Sequence, residues 1–231
     1  MNRETTNRIR FVLEDLLPPA VRDSRFFLAI AKLAWGGHIE DLSRFRARAP
    51  FLTAEEYEEM YRTHPRVHAG TDNSVACISR ITADLIGPSI CDIGCGTGVL
   101  LQHFKTVRSD LGRLTGVDFV VDDAASIVGI EFIAARIESL PFDDCEFDTV
   151  VCTHVIEHVL DFRAAIAELR RICRRRLIIV VPAEREYKYT FNPHFNFFPY
   201  AYSFLRAMQP VPAAHTCIDI GRDIYYREDR S

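Results

Sequence analysis

The feature that most constrains this chain is the run ICDIGCGTGVLL at 90–101, in which one acid and three glycines interrupt apolar residues. It predicts a buried strand ending at Ile93, a tight turn and a helix that starts near Gly98. Gly94, Gly96 and Gly98 lack a Cβ atom, so the backbone of the turn can approach a ligand closely. Such a turn lies at the carboxyl edge of a parallel sheet, where open α/β folds bind ligands.

From the strand SICDI onward, strand and helix patterns alternate along the chain. The predicted strands are SICDI, LTGVDF, EFIAA, FDTVVCT and LIIVVPA, and helices follow the first of them and the fourth. Alternation of this kind predicts a parallel sheet covered by helices on both faces. The last two runs, CIDI and DIYYRE, flank Gly221 and Arg222, a spacing typical of an antiparallel hairpin. The fold class expected is therefore α/β, a Rossmann-like seven-stranded, mostly parallel sheet with a C-terminal antiparallel hairpin.

The first sixty residues have helical patterns instead. Apolar residues recur at helical spacing over 9–17, a second helix is predicted from Phe26 to Trp35, and Thr53 with Glu56 matches a capping box that opens a third. We expect residues 1–62 to form a helical N-terminal cap and residues 63–231 to form the sheet domain. Two interpretations of the cap stay open, a cover over the active site and a packing appendage.

The composition of the chain indicates its number of domains, its class of partner and its cellular compartment. Its 231 residues suit one main domain, and a net charge of −4 disfavours nucleic acid as a partner. The seven cysteines show no CxxC pairing, so we expect reduced thiols and a cytoplasmic protein. The N-terminus lacks the pattern of a signal peptide, and the longest apolar run is shorter than the roughly 20 residues that span a bilayer, so stable membrane insertion is not expected.

The spacing of the glycines and acids favours one kind of cofactor. A dinucleotide fingerprint needs a third glycine where Val99 stands. Asp92 precedes the first glycine, where a carboxylate would repel a pyrophosphate but could bind an ammonium group. Asp118 ends the next strand, at a position from which a carboxylate accepts hydrogen bonds from ribose hydroxyls. A nucleoside with an amino-acid tail fits both acids.

Three motifs in this order, DIGCGTG, GVD and ESLPFDDCEFDTVVCTHVIEHVLDFRAAIAELRRI, resemble the class I S-adenosylmethionine-dependent methyltransferases, over roughly 80–182. The resemblance implies S-adenosylmethionine as the cofactor, with the first acid and the glycines near its methionine part and the acid after the second strand on its ribose. The implied cofactor-binding residues are Asp92, Gly94, Cys95, Gly96, Gly98, Asp118, Phe119, Arg136, Ile137 and Thr153.

One position departs from that family's pattern. Many relatives carry an acid where Arg136 stands, and that acid accepts a hydrogen bond from the adenine amino group. An arginine side chain cannot accept one. We expect the backbone of Arg136 or Ile137 to take this role, with the Ile137 side chain packed on the adenine ring.

Candidate catalytic residues follow the FDTVVCT strand. His154 comes directly after Thr153, and Glu157 and His158 lie one turn further on. If the acceptor is a hydroxyl, a base must take its proton as the methyl group moves, and His154 is the first candidate. The alternative is that His154 only shapes the cofactor pocket while Glu157 and His158 fix the loop. The remaining histidines show no metal-ligand spacing, and no metal is expected; those considered were His64, His68 and His194.

The sequence gives less information on the molecule that accepts the methyl group than on the cofactor. The aromatic segment YKYTFNPHFNFFPYAYSF at 187–204 offers Tyr187, Tyr189 and His194 as substrate-binding residues, although its rings could equally pack a helix on the sheet. The motifs of base-amine and cytosine C5 methylation are missing. We therefore expect methyl transfer to a small molecule, with a sugar or glycan intermediate ranked first.

The sequence is also compatible with other functions. The acceptor could instead be a lipid, a quinone or a polyketide. The chain could be a non-catalytic S-adenosylmethionine-binding regulator, or an NAD-dependent oxidoreductase, which the missing third glycine disfavours.

Overall fold

The computed structural model describes residues 11–36, 38–63, 70–121, 127–189 and 192–230. Internal contacts divide the chain into two units. The helical unit comprises 1–69 and 184–197, and the sheet unit comprises 70–183 and 198–231. The chain thus leaves the sheet unit after Ala183 and returns to it at Phe198.

The sheet unit is built on seven strands, as the sequence predicts. They are β1 (Ser89–Ile93), β2 (Arg113–Asp118), β3 (Glu131–Ala134), β4 (Phe147–Thr153), β5 (Cys173–Pro182), β6 (His215–Ile220) and β7 (Asp223–Asp229). Their order in the sheet is β3-β2-β1-β4-β5-β7-β6, and β7 alone is antiparallel to both of its neighbours, which are β5 and β6. The neighbours of β1 are β2 and β4, so the chain reverses direction across the sheet there. The carboxyl ends of these three strands form the switch point at which open α/β folds bind ligands.

Four helices accompany these strands. They are α4 (Val75–Asp84), α5 (Val99–Val107), α6 (Phe162–Ile172) and α7 (Ala201–Ala207), and a 3₁₀ turn covers Ile156–His158. Successive strand residues enter two different apolar clusters, because side chains alternate between the faces of a sheet. On β4, for example, Cys152 belongs to the cluster that contains Leu169 of α6, and Val151 belongs to the cluster that contains Leu101 of α5. Helices therefore cover both faces, as expected from the alternation of patterns.

The helical unit contains the N-terminal helices. They are α1 (Arg25–Trp35), α2 (His38–Arg48) and α3 (Ala54–Thr63), with a π-helical turn at Phe11–Leu16, a short helix at Pro19–Arg22 and a 3₁₀ turn at Ala49–Phe51. Ser24 caps α1, since its Oγ accepts a hydrogen bond from the Phe27 amide at 3.0 Å. The capping box is confirmed: Thr53 Oγ1 accepts from the Glu56 amide, and the Glu56 carboxylate accepts from the Thr53 amide.

The segment 184–197 packs within the helical unit. Arg46 of α2 donates to the Tyr187 carbonyl oxygen at 2.6 Å and to the Glu186 carboxylate at 3.0 Å. The Lys188 amide donates to Asp23 at 2.8 Å. These contacts place 184–197 with the N-terminal helices, whereas the sequence-based division put it with the sheet. Whether 1–62 and 63–231 fold as separate domains stays a prediction.

No helix within the described ranges is long and apolar enough to cross a bilayer.

Candidate cofactor and catalytic site

The glycine turn after β1 is held by the neighbouring strand. The amides of Gly94 and Cys95 both donate to the Val117 carbonyl oxygen of β2, at 2.7 and 3.0 Å. Gly94, Gly96 and Gly98 have φ angles of 76°, 55° and 77°, in the left-handed region that favours glycine. A Cβ atom at Gly94 would lie 2.1 Å from Val155 Cγ2, so the close approach itself requires glycine.

Asp118, the expected ribose ligand, lies at the carboxyl end of β2 beside this turn. Its Oδ2 accepts a hydrogen bond from the Gly96 amide at 2.8 Å, and its Oδ1 accepts one from the Val120 amide at 3.2 Å. A carboxylate can accept several hydrogen bonds at once. Asp118 therefore fixes the loop, and its expected role on the ribose stays a prediction.

Asp92 is buried at the end of β1 with 2% of its surface exposed. Its Oδ1 has no hydrogen-bond partner among the described residues. Burial, with a smaller contribution from the charge of Asp118, raises the pKa of Asp92 to about 8. A buried acceptor without a donor is costly, and a cationic donor would relieve that cost. The site therefore fits the ammonium group of an amino-acid tail, as S-adenosylmethionine requires.

The two residues expected at the adenine differ in their environments. The Arg136 side chain is exposed and pairs with Glu138 at 3.3 Å, while its carbonyl oxygen accepts from the Ser139 amide. Ile137 is 8% exposed and belongs to the apolar cluster on the α6 face of the sheet. The side chain of Arg136 is thus engaged in an ion pair, and only its backbone is suited to the role expected from the sequence.

Thr153 closes β4 and contacts a residue that the sequence did not indicate. Asn73, which precedes α4, donates from Nδ2 to Thr153 Oγ1 at 2.9 Å and to Thr71 Oγ1 at 3.0 Å. Asn73 is 6% exposed, and its Oδ1 has no hydrogen-bond partner within the described part of the chain. An oriented amide therefore lies beside the end of β4, and its contact with Thr153 spans 80 positions, which no local pattern reveals.

His154 has an unusual backbone and an acidic environment. Its φ is 55°, a left-handed conformation that costs a non-glycine residue about 1 to 2 kcal/mol, and its amide donates to the Val180 carbonyl oxygen of β5 at 2.9 Å. Its Nδ1 lies 3.6 Å from Glu157 Oε1, and its Nε2 lies 3.9 Å from Asp223 Oδ1. Burial lowers the pKa of His154, but Glu157, Asp223 and Asp72 outweigh burial and raise it above its ordinary value.

The residues near His154 on the 3₁₀ turn and on β4 are largely buried. Glu157 is 1% exposed and lies on the 3₁₀ turn, while His158, the last residue of that turn, is half-buried. Burial, with the nearby charges of Glu157 and Asp92, raises the pKa of the Cys152 thiol well above its usual range. Cys152 therefore stays a neutral thiol, which is a poor nucleophile.

The three residues expected to bind the acceptor belong to the helical unit. Tyr187 is 7% exposed and has the Arg22 guanidinium 4.9 Å from its ring centroid. His194 Nδ1 lies 2.6 Å from Glu184, a buried carboxylate that also accepts from Asn192. Tyr189 is half-buried, with the Lys188 ammonium 5.6 Å from its ring. His64 and His68 lie outside the described residues.

The sequence around this site and the fold of the chain both resemble those of known proteins. Residues 91–181 match the family model described as a methyltransferase domain. Residues 91–181 therefore carry a methyltransferase domain. This identification confirms the family and the fold class expected from the sequence, and with them S-adenosylmethionine as the cofactor. The expected positions of the cofactor in the site stay predictions.

Individual relatives of this domain are distant. A ubiquinone/menaquinone biosynthesis C-methyltransferase of Shewanella halifaxensis is 29% identical over 100 residues, which cover 38% of this chain and 39% of that protein. The chain spans 28% and 40% of the length of two further curated relatives, both uncharacterised. These matches are thus confined to the domain and cover less than half of each relative.

Solved structures share the fold at low identity. The PH0226 protein of Pyrococcus horikoshii is 19% identical, with a TM-score of 0.54 over 75% of this chain and 99% of its own. A SAM-dependent methyltransferase of Thermotoga maritima, described as a possible histamine N-methyltransferase, is 18% identical, with a TM-score of 0.52 over 81% of this chain and 98% of its own.

Proposed function

We propose that this protein is an enzyme that transfers a methyl group from S-adenosylmethionine to a small-molecule acceptor. The observation that carries the proposal is the environment of Asp92. Its carboxyl group is buried at the switch point of the sheet, one oxygen has no partner among the described residues, and a glycine turn follows it directly. A ligand with a cationic amino-acid tail supplies the missing donor.

The residues of the sheet unit would hold this cofactor in distinct ways. Asp92 would bind the ammonium group, the glycine turn would accommodate the adjacent part of the ligand, and Asp118 would accept from ribose hydroxyls. When bound, the cofactor supplies an electrophilic methyl group on a sulfonium leaving group. The protein's own contribution is to align the acceptor and, for a hydroxyl acceptor, to remove its proton.

The class of acceptor is a narrower proposal with two candidates. The ranking of a sugar or glycan rested on the aromatic segment at 187–204. Several of its rings pack inside their own units: Phe195 lies 5.4 Å from Phe45, and Phe198 lies 5.0 Å from Phe204. These contacts leave fewer rings for stacking on a sugar. The second candidate is a quinone, because curated relatives of the domain are named for quinone methylation.

A non-catalytic regulator that binds S-adenosylmethionine is the competing function. An enzyme and a regulator would both bind S-adenosylmethionine, but only the enzyme would consume it. Binding alone therefore supports the cofactor assignment, and turnover decides between these two functions.

The first experiment compares ligands by thermal stability. S-adenosylmethionine and S-adenosylhomocysteine should raise the melting temperature, because a ligand that binds only the native state stabilises it by RT ln(1 + [L]/Kd). NAD at the same concentration should have no effect. Equal stabilisation by NAD would contradict the cofactor assignment.

The second experiment follows methyl transfer. The protein is incubated with methyl-labelled S-adenosylmethionine and fractionated small-molecule extracts, with Asp118→Ala as the control that should fail to label. Label in the polar fraction that contains sugars would support a sugar or glycan acceptor. Label in the lipid fraction that contains quinones would support a quinone acceptor. Cofactor binding without any labelled product would support the regulator instead.

A further inference from the structure

Asp223 is a charged residue that the expected catalytic set did not include. It opens β7, where it pairs in register with Pro182 of β5 and Ile220 of β6, and it is 2% exposed. Its Oδ2 lies 3.5 Å from the Cys77 thiol of α4, which donates to it. Its Oδ1 lies 3.9 Å from His154 Nε2. A buried carboxylate at the end of the sheet thus faces the imidazole that follows β4.

Three acidic residues, from three different segments of the sheet unit, act on His154. Glu157, on the 3₁₀ turn, lies 3.6 Å from Nδ1, and Asp223 of β7 approaches Nε2. Asp72, in the segment before α4, adds a third negative charge to the field at the ring. A histidine with one carboxylate near each ring nitrogen favours the doubly protonated form, because both nitrogens are then N–H donors.

The backbone of His154 indicates that this arrangement is specifically maintained. The residue adopts a φ of 55°, and its amide donates to Val180 of β5. Left-handed backbone at a non-glycine residue is uncommon and tends to occur at functional sites. Nε2 is buried and has no hydrogen-bond partner among the residues that the structure describes, since 3.9 Å exceeds hydrogen-bond length. The ring is therefore held between the two acids with one nitrogen available to a further polar group.

We propose that Asp223 is a positioning residue that acts through His154: with Glu157 it holds His154 as an imidazolium and so sets the pH above which His154 can take a proton from a hydroxyl acceptor. A direct hydrogen bond between Asp223 and His154 is not needed for this effect, because the charge of Asp223 acts across the 3.9 Å separation. The neutral imidazole that can accept a proton at Nε2 becomes populated only as the pH rises. The role in proton transfer rests on the proposed function, whereas the charge state of His154 does not.

Nuclear magnetic resonance of histidine-labelled protein tests the charge state directly. His154→Gln assigns the His154 ring signals, which are then followed from pH 5 to 9 in the full chain without ligand. We expect the wild-type ring to carry protons on both nitrogens at pH 7. Asp223→Asn should lower the titration midpoint of His154 by about 1 to 3 pH units, the range for removing an opposite charge at this distance.

The control and the overturning results follow from the same spectra. Asp219→Asn removes an exposed acid of the same hairpin and should leave the midpoint unchanged. Asp223→Glu keeps the charge and should restore the midpoint toward the wild-type value. A wild-type ring that is already neutral at pH 7 would overturn the proposal, and this result requires no variant to fold. An unchanged midpoint in folded Asp223→Asn would overturn it as well.

Binding of S-adenosylhomocysteine to the same samples separates this inference from the proposed function. A wild-type His154 ring that is already neutral at pH 7, together with normal binding, would reject the role of Asp223 alone. An elevated midpoint without any binding would reject the cofactor assignment and leave the charge state of His154 standing.

Discussion

Among single residues, Asp92 is a buried acid whose ionisation lowers the stability of the folded protein. The carboxyl group is buried, and its pKa is raised to about 8 by burial and by the charge of Asp118. Because the folded-state pKa lies above the unfolded value, Asp92 contributes stability that is complete at low pH and is lost as the pH rises through about 8. Binding of a cationic ligand stabilises the ionised form and offsets this loss.

We predict that Asp92→Asn changes protein stability and cofactor affinity in opposite directions. The amide keeps the shape of the side chain but removes the buried acid, so the variant should unfold at a higher temperature than the wild type at pH 8 and above. Its affinity for S-adenosylhomocysteine should fall by about 1.5 to 3 kcal/mol, the range for a lost hydrogen bond to a charged group. Scanning calorimetry and titration calorimetry measure the two effects. Unchanged affinity would remove Asp92 from the site.

The glycine turn provides a second residue-scale prediction. Gly94→Ala places a Cβ 2.1 Å from Val155 Cγ2, whereas Gly221→Ala, at a similar φ of 65°, meets nothing within 4 Å. Both variants bear the backbone cost of about 1 to 2 kcal/mol, and only Gly94→Ala must also displace a neighbour. Urea denaturation should therefore show a larger loss of stability for Gly94→Ala. Equal losses would mean that the turn is looser than the contact with Val155 indicates.

At the scale of elements, the end of α6 is tied to β7 by a buried ion pair. Arg170 donates from Nε and Nη2 to Glu228 at 2.8 and 2.7 Å, and the Tyr226 hydroxyl donates to the same carboxylate at 2.6 Å. Glu228 is 2% exposed, so its charge depends on these donors. The arginine-rich run at 170–176 therefore joins elements of the sheet unit. Its first two members lie at the end of α6 and the others lie on β5.

We predict that Arg170→Ala destabilises the protein by about 3 to 5 kcal/mol, because it leaves the Glu228 carboxylate buried without its cationic partner and without the two hydrogen bonds that Arg170 donates. Arg174→Ala is the matched control. The Arg174 side chain is 53% exposed and pairs with Asp148 at 3.3 Å, so its loss should cost at most about 1 kcal/mol. Chemical denaturation of both variants gives the comparison. Similar losses at the two positions would show that burial of Glu228 does not govern the effect.

The elements also show which parts of the fold the sequence could predict. All seven strands and the hairpin at Gly221 were predictable, because apolar runs bounded by turn residues report burial locally. Helix α2 was not, since its sequence HIEDLSRFRAR is largely polar and offers no wide apolar stripe. Asp223 was missed for a different reason: it follows a tight turn, where an acid is common, and its contact with His154 crosses 69 positions of sequence.

At the scale of the whole molecule, the division into units crosses the order of the sequence. The segment 184–197 follows the sheet strand β5 directly, yet its contacts lie with α2 and with Asp23, more than 130 positions earlier. Arg22 adds a further contact, since its guanidinium carbon lies 4.3 Å from the ring centroid of Phe27 and 4.9 Å from that of Tyr187. A boundary read from local composition cannot reveal such a return of the chain, because each contact depends on two distant segments.

The last prediction concerns a chain cut at the boundary expected from the sequence. A fragment of residues 63–231 keeps every strand of the sheet unit, so it should still bind S-adenosylhomocysteine. It loses the Arg46 and Asp23 side chains that fix the backbone at Tyr187 and Lys188. Segments that lose such contacts open more often and become sites of proteolysis.

Trypsin measures this difference, because Arg185 and Lys188 are exposed cleavage positions within the segment. Mass spectrometry should find cleavage after these residues much sooner in the fragment than in the full chain. Arg46→Ala in the full chain is the intermediate case, since it removes two of the hydrogen bonds and keeps the rest of the helical unit. Equal protection of 184–197 in the fragment and the full chain would instead support 63–231 as a self-sufficient domain.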